Sequence, residues 1–242
     1  PNSLAHRTTW LRSDLENKRC TFNCIYCECG WTEKGCSARF NRREDVSRLL
    51  AQKLEEMAAA GTPPDVITFA GNGEPTMHPD FEAIIDDVIR TRDQHAPKAK
   101  VSVLTNGTMI RKESVRRALM RVDNNIVKLD SAFDETVRQI DEPLGEYSVA
   151  ETVEYMKLFE GHLIVQTMFL RGSFEGRTVD NTTEREVAAW LKRIEEIRPR
   201  QVMIYTVDRD TPAPDLHKVP VDELNRIADR VRALGIDCSV AG

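Results

Sequence analysis

The sequence contains no apolar run approaching the roughly 18 residues that a membrane-spanning helix needs, which excludes that class of protein. Its opening residues, PNSLAHRTTWLRSDLENKRC, have no basic segment followed by an apolar one and do not read as a secretory signal. An initiating Met is also missing, which reads as a processed or trimmed chain with residues upstream of Pro1. There is no excess of positive charge: 34 Lys and Arg stand against 39 Asp and Glu, a formal balance of −5. That balance argues against broad electrostatic binding to nucleic acid but leaves room for a local basic patch. The densest basic stretch, Arg111, Lys112, Arg116, Arg117 and Arg121, has helical spacing and reads as a solvated outer face. No linker rich in Gly, Ser or Pro, no low-complexity tract and no internal repeat divides residues 1–242, so a single domain is expected. Thr211–Pro214 (TPAP) reads as the cap of a loop rather than a boundary.

What the chain does have is an uneven distribution of cysteine. Of six, Cys20, Cys24, Cys27 and Cys29 fall within ten residues, and Cys36 and Cys238 lie apart. A chain of 242 residues can bury a full core and needs no disulfide staples. Without a secretion signal, such a cluster reads as metal or redox chemistry in a reducing compartment, by default the cytoplasm.

Short β-branched runs alternate with longer amphipathic ones. Val66–Ala70, Val101–Thr105, Ile126–Asp130, Leu163–Leu170 and Gln201–Val207 read as parallel strands covered on both faces by helices. A weaker, more polar strand is expected near Thr8–Leu15. Helical periodicity runs through Glu44–Ala60, with Gly61 as its stop, and through Asp80–Arg92, Lys112–Arg121, Val149–Phe159, Thr183–Ile197 and Asp222–Leu234. Asp222 is the expected N-cap of the last helix and Gly235 its C-cap. Six strand–helix alternations imply a parallel sheet with right-handed crossovers. A complete eightfold barrel takes about 250 residues, so the expected fold is α/β, a partial (β/α)6 TIM-type barrel.

The central motif is Cys20-Thr-Phe-Asn-Cys24-Ile-Tyr-Cys27. Three thiolates at this spacing can hold three corners of an iron–sulfur cubane and leave one iron open. The competing reading is a zinc site, which usually takes two ligand pairs. No second pair exists, although Cys29 and Cys36 could complete an irregular set. Directly after the strand Val66–Ala70 comes Gly71-Asn72-Gly73-Glu74-Pro75, where glycines allow close backbone approach to a ligand and Glu74 can place charge near a cationic one.

C-x3-C-x2-C with Tyr26 before the third cysteine resembles the signature of the radical S-adenosylmethionine (SAM) superfamily, and Gly71–Pro75 is similar to its GGEP segment, with Asn72 departing from the usual two adjacent glycines. The resemblance implies a [4Fe–4S] cluster on Cys20, Cys24 and Cys27. It also implies SAM contacts from Tyr26, Gly71, Asn72, Gly73 and Glu74, and from Asn106 and Asp130 at the ends of the third and fourth strands. Gln166, a polar residue in an apolar strand, is expected to face the interior, unless it is a satisfied buried glutamine. Asn106-Gly107 is also a turn former by itself.

Reductive cleavage of SAM to a 5′-deoxyadenosyl radical, which takes hydrogen from a substrate, is the implied reaction, fed by an external one-electron reductant such as flavodoxin. The runs CTFNCIYCECGWT, GNGEPTMHPDF and YTVDRDTPA resemble short radical SAM proteins related to wyosine-type tRNA synthases, which implies a nucleobase or tRNA-related substrate. The Ser-Arg-Arg-rich segment of that group is not found before Cys20. Activation of a glycyl-radical enzyme, a small-molecule or peptide substrate, and a cluster- or zinc-binding module without radical chemistry remain alternatives. Trp31, Arg171, Tyr205 and Asp208 are candidates for the substrate mouth, His78 reads as a loop-structuring residue, and Cys29 as a bystander.

Overall fold

The computed structural model describes residues 8–10, 18–32, 40–70, 72–208 and 211–242. Seven parallel strands form the main sheet, in the order β1 (Thr8–Trp10), β2 (Val66–Phe69), β3 (Lys100–Thr105), β4 (Asn124–Lys128), β5 (Ile164–Phe169), β8 (Gln201–Thr206) and β10 (Asp237–Ala241). Strands β1 and β10 end the order and do not pair with each other, so the sheet is open, as a partial barrel requires. The helices are α1 (Arg43–Ala59), α2 (Phe81–His95), α3 (Glu113–Leu119), α4 (Asp134–Ile140), α5 (Val149–Lys157), α6 (Glu184–Ile197) and α7 (Val221–Ala233). A small antiparallel sheet in the order β7-β6-β9 joins a hairpin that follows β5, β6 (Arg171–Phe174) and β7 (Arg177–Asp180), to β9 (Leu216–His217), which follows β8.

Six of the seven parallel strands lie where the sequence places them, the first shortened to Thr8–Trp10, with 11–17 outside the described residues. The seventh, β10, follows α7 and pairs with β8.

The expectation of helices on both faces needs correction. Strand β8 alternates, with Val202, Ile204 and Thr206 buried and Gln201, Met203 and Tyr205 less so. Ile67, Val101, Val103, Val127, Val165 and Val202 belong to one core with Leu50, Leu54, Ile85, Val88, Met156, Trp190, Ile194 and Leu224 from the helices. The opposite face packs against the cysteine loop: Phe22, Ile25 and Tyr26 cluster with Met168 and Leu170. Its register rows are Lys128–Gln166–Met203–Ser239 and Met168–Tyr205–Ala241. Polar side chains on this face turn continuous apolar runs into alternating ones.

Capping of α7 also differs. Pro220 occupies the N-cap, and Asp222 sits in the first turn, where a carboxylate favours the helix dipole. Gly235 adopts φ +77° just past the C-cap Leu234, the left-handed stop expected of it.

Candidate functional site

The segment from Lys18 to Thr32 is stitched to the chain that follows β2, to the end of α4 and to the chain that follows β8. Arg19 N–H donates to Asn72 O at 3.2 Å, and Glu74 N–H donates to Arg19 O at 2.9 Å, which makes a parallel bridge between Arg19 and Gly73. Gly73 has φ +138°, and a Cβ there would stand 1.9 Å from Arg19 O. The glycine thus admits the cysteine loop itself. On its other side the loop bonds to the end of α4, with Ile25 N–H to Ile140 O at 2.9 Å, and to the region after β8, with Ala213 N–H to Ile25 O at 3.2 Å.

Within the loop Cys24 is buried, and Cys20 and Cys27 are partly exposed. N–H donors point at two of the sulfurs: Phe22 N and Asn106 Nδ2 each stand 3.5 Å from Cys20 Sγ, and Lys18 Nζ is 3.1 Å from Cys27 Sγ. Burial raises the Cys20 and Cys24 thiols, and for Cys24 the neighbouring Asp141 adds to it. Cys27 moves the other way, because the Cys29 thiol hydrogen-bonds to it and the Lys18 ammonium is close. Among the described residues no group of three or more His, Cys, Asp or Glu is arranged to hold a single metal ion. In a cubane each thiolate takes its own iron, so such convergence is not needed. A soft sulfur set with N–H donors directed at it fits an anionic iron–sulfur cluster.

Glu74 is 4 % exposed, and both of its oxygens are occupied. Oε1 accepts from Thr76 N at 3.0 Å and Thr105 Oγ1 at 2.7 Å, and Oε2 from Asn106 N at 2.7 Å. Burial raises this carboxyl, and those hydrogen bonds oppose the shift. The residue braces the turn after β2 against the turn after β3. Asn106 continues the brace: Nδ2 donates to Thr21 Oγ1 at 2.8 Å, and Oδ1 accepts from Thr108 N at 3.0 Å. Asn72 lies beside Arg19, whereas Gly71 is outside the described residues.

At the end of β4, Asp130 is 2 % exposed. Its Oδ1 accepts from Met168 N at 2.9 Å, and its Oδ2 from Tyr26 OH and from Lys128 Nζ, the latter at 3.2 Å. Tyr26 OH also reaches Asp141 Oδ1 at 3.2 Å and is hydrogen-bonded by Lys128, whose Nζ lies 3.8 Å from Asp141. Burial, then Asp130, raises the Asp141 carboxyl; burial pulls Lys128 down, but Asp130 and its neighbours carry it well above the usual ammonium range. Gln166 lies on the same interior face, in register with Lys128. Beyond this network a cavity of about 250 Å³ is lined by Tyr26, Met168, Tyr205, Val207 and Asp208 among others.

Of the four mouth candidates, Tyr205 and Asp208 line this cavity. Trp31 packs edge-on to Phe174 and donates to Cys24 O, and Arg171 pairs with Glu223 at 2.5 Å. His78 holds its loop, with Nε2 2.8 Å from Asn41 O and Nδ1 accepting from Asp80 N at 3.0 Å. Cys29 is exposed beside Cys27, Cys238 packs partly buried against the core, and Cys36 is outside the described residues. In the basic stretch, Arg117 pairs with Glu82 and Glu113, and Arg121 with Asp86, as an outer face does. Sequence reading missed Lys18, Lys128 and Asp141. For Lys128 a signal existed, since a lysine inside a buried strand needs a partner.

The family profile described as the radical SAM superfamily matches residues 17–172. The chain belongs to the radical SAM superfamily, enzymes that use a [4Fe–4S] cluster and S-adenosylmethionine. A UPF0026 protein of Synechocystis is 30% identical over 199 residues, covering 80% of this chain and 68% of that protein. A Brachyspira hyodysenteriae protein named GTPase Obg is 27% identical over 201 residues, 81% of this chain but only 28% of the relative. In structure the chain is similar to a radical SAM methyltransferase from Sphaerobacter thermophilus, with TM-score 0.69, 15% identity, and coverage of 98% of this chain and 65% of that one. SuiB of Streptococcus suis bound to S-adenosylmethionine gives TM-score 0.67 at 13% identity, with 93% and 49% covered. At these identities the likeness concerns the fold, a partial TIM barrel; the chain spans about half the length of SuiB. Among the described residues no helix is long and apolar enough to cross a membrane.

Proposed function

We propose that this chain works as one radical SAM domain in which Cys20, Cys24 and Cys27 hold the cluster and the strand ends around them hold SAM. When bound, the pair supplies one-electron reductive cleavage and a 5′-deoxyadenosyl radical that takes a hydrogen atom from the substrate. The observation that supports the assignment is a cysteine loop bonded to the turn after β2, with Asn106 and Phe22 N–H directed at the Cys20 sulfur and Lys18 at that of Cys27.

The protein's own work is placement. Glu74 fixes the two turns relative to each other, and its carboxylate is taken up in doing so. Tyr26, Asp130 and Gln166 offer polar groups on the interior face for the cofactor's polar parts. The cavity beside Tyr26 and Tyr205, open on one side, takes the reacting part of the substrate.

For the substrate we favour a nucleobase or tRNA-related molecule, on the three motif runs given above. The overall charge of −5 means that a polyanion would bind through a local patch. An external one-electron reductant and a cytoplasmic setting go with this chemistry.

Anaerobic reconstitution with iron and sulfide tests the assignment. The expected product is a coloured protein with four irons per chain that forms 5′-deoxyadenosine from SAM and dithionite, and that loses both properties on Cys24→Ala. A colourless zinc protein would sink the proposal.

A further inference from the structure

Lys18 is a lysine with 6 % of its surface exposed, two residues before the first cysteine. Long charged side chains are almost never so buried without a partner. Among the described residues the partners of Lys18 are not carboxylates: Nζ donates to Cys27 Sγ at 3.1 Å and to Gly30 O at 2.6 Å. The second bond fixes the first, because Gly30 closes a turn onto Cys27, with its N–H donating to Cys27 O at 2.9 Å. Lys18 therefore bridges the entry and exit of the cysteine loop and holds its ammonium against one sulfur. The other two sulfurs are treated differently. Cys20 receives neutral N–H donors at 3.5 Å, and Cys24 lies buried near Asp141.

Resting on the reading that Cys27 is a cluster ligand, the structure assigns Lys18 as a positioning residue that sets the cluster's reduction potential by holding a cationic N–H donor on the Cys27 sulfur. A cluster that gains an electron gains negative charge. An ammonium close to a ligand sulfur favours that reduced state more than the oxidised one. Net charge and hydrogen bonds to the sulfurs are among the levers that set iron–sulfur potentials. Polar N–H donors on Cys20 act in the same direction but carry no full charge, so Lys18 supplies the largest single contribution among the donors named.

The test compares wild type with Lys18→Met, Lys18→Gln and Lys18→Arg, each reconstituted anaerobically. Iron content is measured first, and the midpoint is then read from the electron paramagnetic resonance signal of the reduced cluster during a redox titration. Met and Gln should keep their iron and make reduction at least tenfold less favourable, a downward shift of about 59 mV or more for one electron. Arg, which keeps the charge, should stay within threefold of wild type. An unmoved midpoint in Lys18→Met overturns the assignment, as does a shift in Arg equal to that in Met. Loss of iron from all three variants also overturns it, since Lys18 would then be a brace for the loop. Full iron content in Cys27→Ala would instead overturn the cluster reading beneath it.

Discussion

Replacing Gly73 by Ala should separate a glycine that serves a ligand from one that serves the fold. The added Cβ would meet Arg19 O at 1.9 Å, Arg19 C at 2.6 Å and Arg19 N at 3.0 Å. All three are backbone atoms, so no flexible side chain can swing away. Ordinary contact begins at 3.4 Å, so Arg19 must retreat by about 1.5 Å. That movement breaks the bonds Arg19 N–H to Asn72 O and Glu74 N–H to Arg19 O. Two such bonds are worth about 2 kcal/mol in total, and φ +138° adds about 1 to 3 kcal/mol of strain for a residue with a side chain. The chain can escape the full penalty by releasing the cysteine loop, so about 3 kcal/mol is a reasonable expectation, or some 6–12 °C in melting temperature for a domain of this size. The assay is thermal melting of apo-protein together with iron uptake on reconstitution. Gly145→Ala is the control, because a Cβ there meets nothing within 4 Å. A Gly73→Ala protein with wild-type melting and wild-type iron would refute the reasoning. A defect confined to SAM affinity would refute it too, because the clash is present without any ligand.

Three further outcomes follow from charged groups. Asp87 is held by Arg43 at 2.6 and 2.8 Å and by Ser47 at 2.9 Å, which ties α1 to α2, and the Arg43 hydrogen bonds hold its carboxyl far below the usual range. Its folded-state affinity for protons is depressed, so its stabilisation is present above pH of about 4 and is lost as pH falls. Asp87→Asn should melt lower at pH 7 and lose part of the acid dependence, and equal slopes for both proteins between pH 5 and 2 would contradict this. Lys128→Met leaves Asp130 and Asp141 without their cation and should cost about 3–5 kcal/mol in apo-protein. Adding Asp130→Asn should recover part of that in a denaturant-melt double-mutant cycle, and strict additivity would rule out the coupling.

Most of the fold could be read from the sequence because its helices obey two simple signals. In α1, α2, α5, α6 and α7, apolar residues recur at three- and four-residue steps, and Gly61 and Gly235 stop the first and last with positive φ. Helix α4 lacks that signal because DETVRQI buries only Val137 and Ile140, a single three-residue step, whereas the equally short α3 buries Val115, Ala118 and Leu119. The hairpin β6–β7 was marked by Glu175-Gly176, both with positive φ, which is the two-residue turn that antiparallel strands favour. That signal was masked by the apolar run before it. The interior face was misjudged for a related reason: Leu104, Ile126, Ile164 and Met168 sit there beside Lys128 and Gln166, so the period of two is diluted. In the site, the cysteines and Gly71–Pro75 announce themselves by spacing. The contacts that organise them do not, since Tyr26 meets Asp130 and Asp141 across 104 and 115 residues. A carboxylate beside a glycine turn looks available in sequence, and only the fold brings Thr105 and Asn106 to occupy Glu74.

Where the chain spends stability also points to where it works. Apolar side chains of similar volume would fill the space of Lys128, Asp130 and Asp141 at no loss, and often with a gain, because desolvating ions is costly. The helix-facing core follows that rule, with Ile67, Val101, Val103, Val165 and Val202 all at 0 % exposure. The interior face breaks it beside Cys24, where two acids, one ammonium and the Tyr26 hydroxyl share one hydrogen-bonded group. Such a group can rearrange its bonds when a charged ligand arrives, whereas an apolar plug cannot. It sits at the C-terminal ends of the strands, the end at which barrel enzymes place their chemistry. Its lysine stands in register with Gln166 of the next strand, on the face that leads to the cavity. Buried acids elsewhere, Asp87 between α1 and α2 and Glu186 on α6, are each held by partners of their own, whereas only beside Cys24 among these do two acids share one lysine.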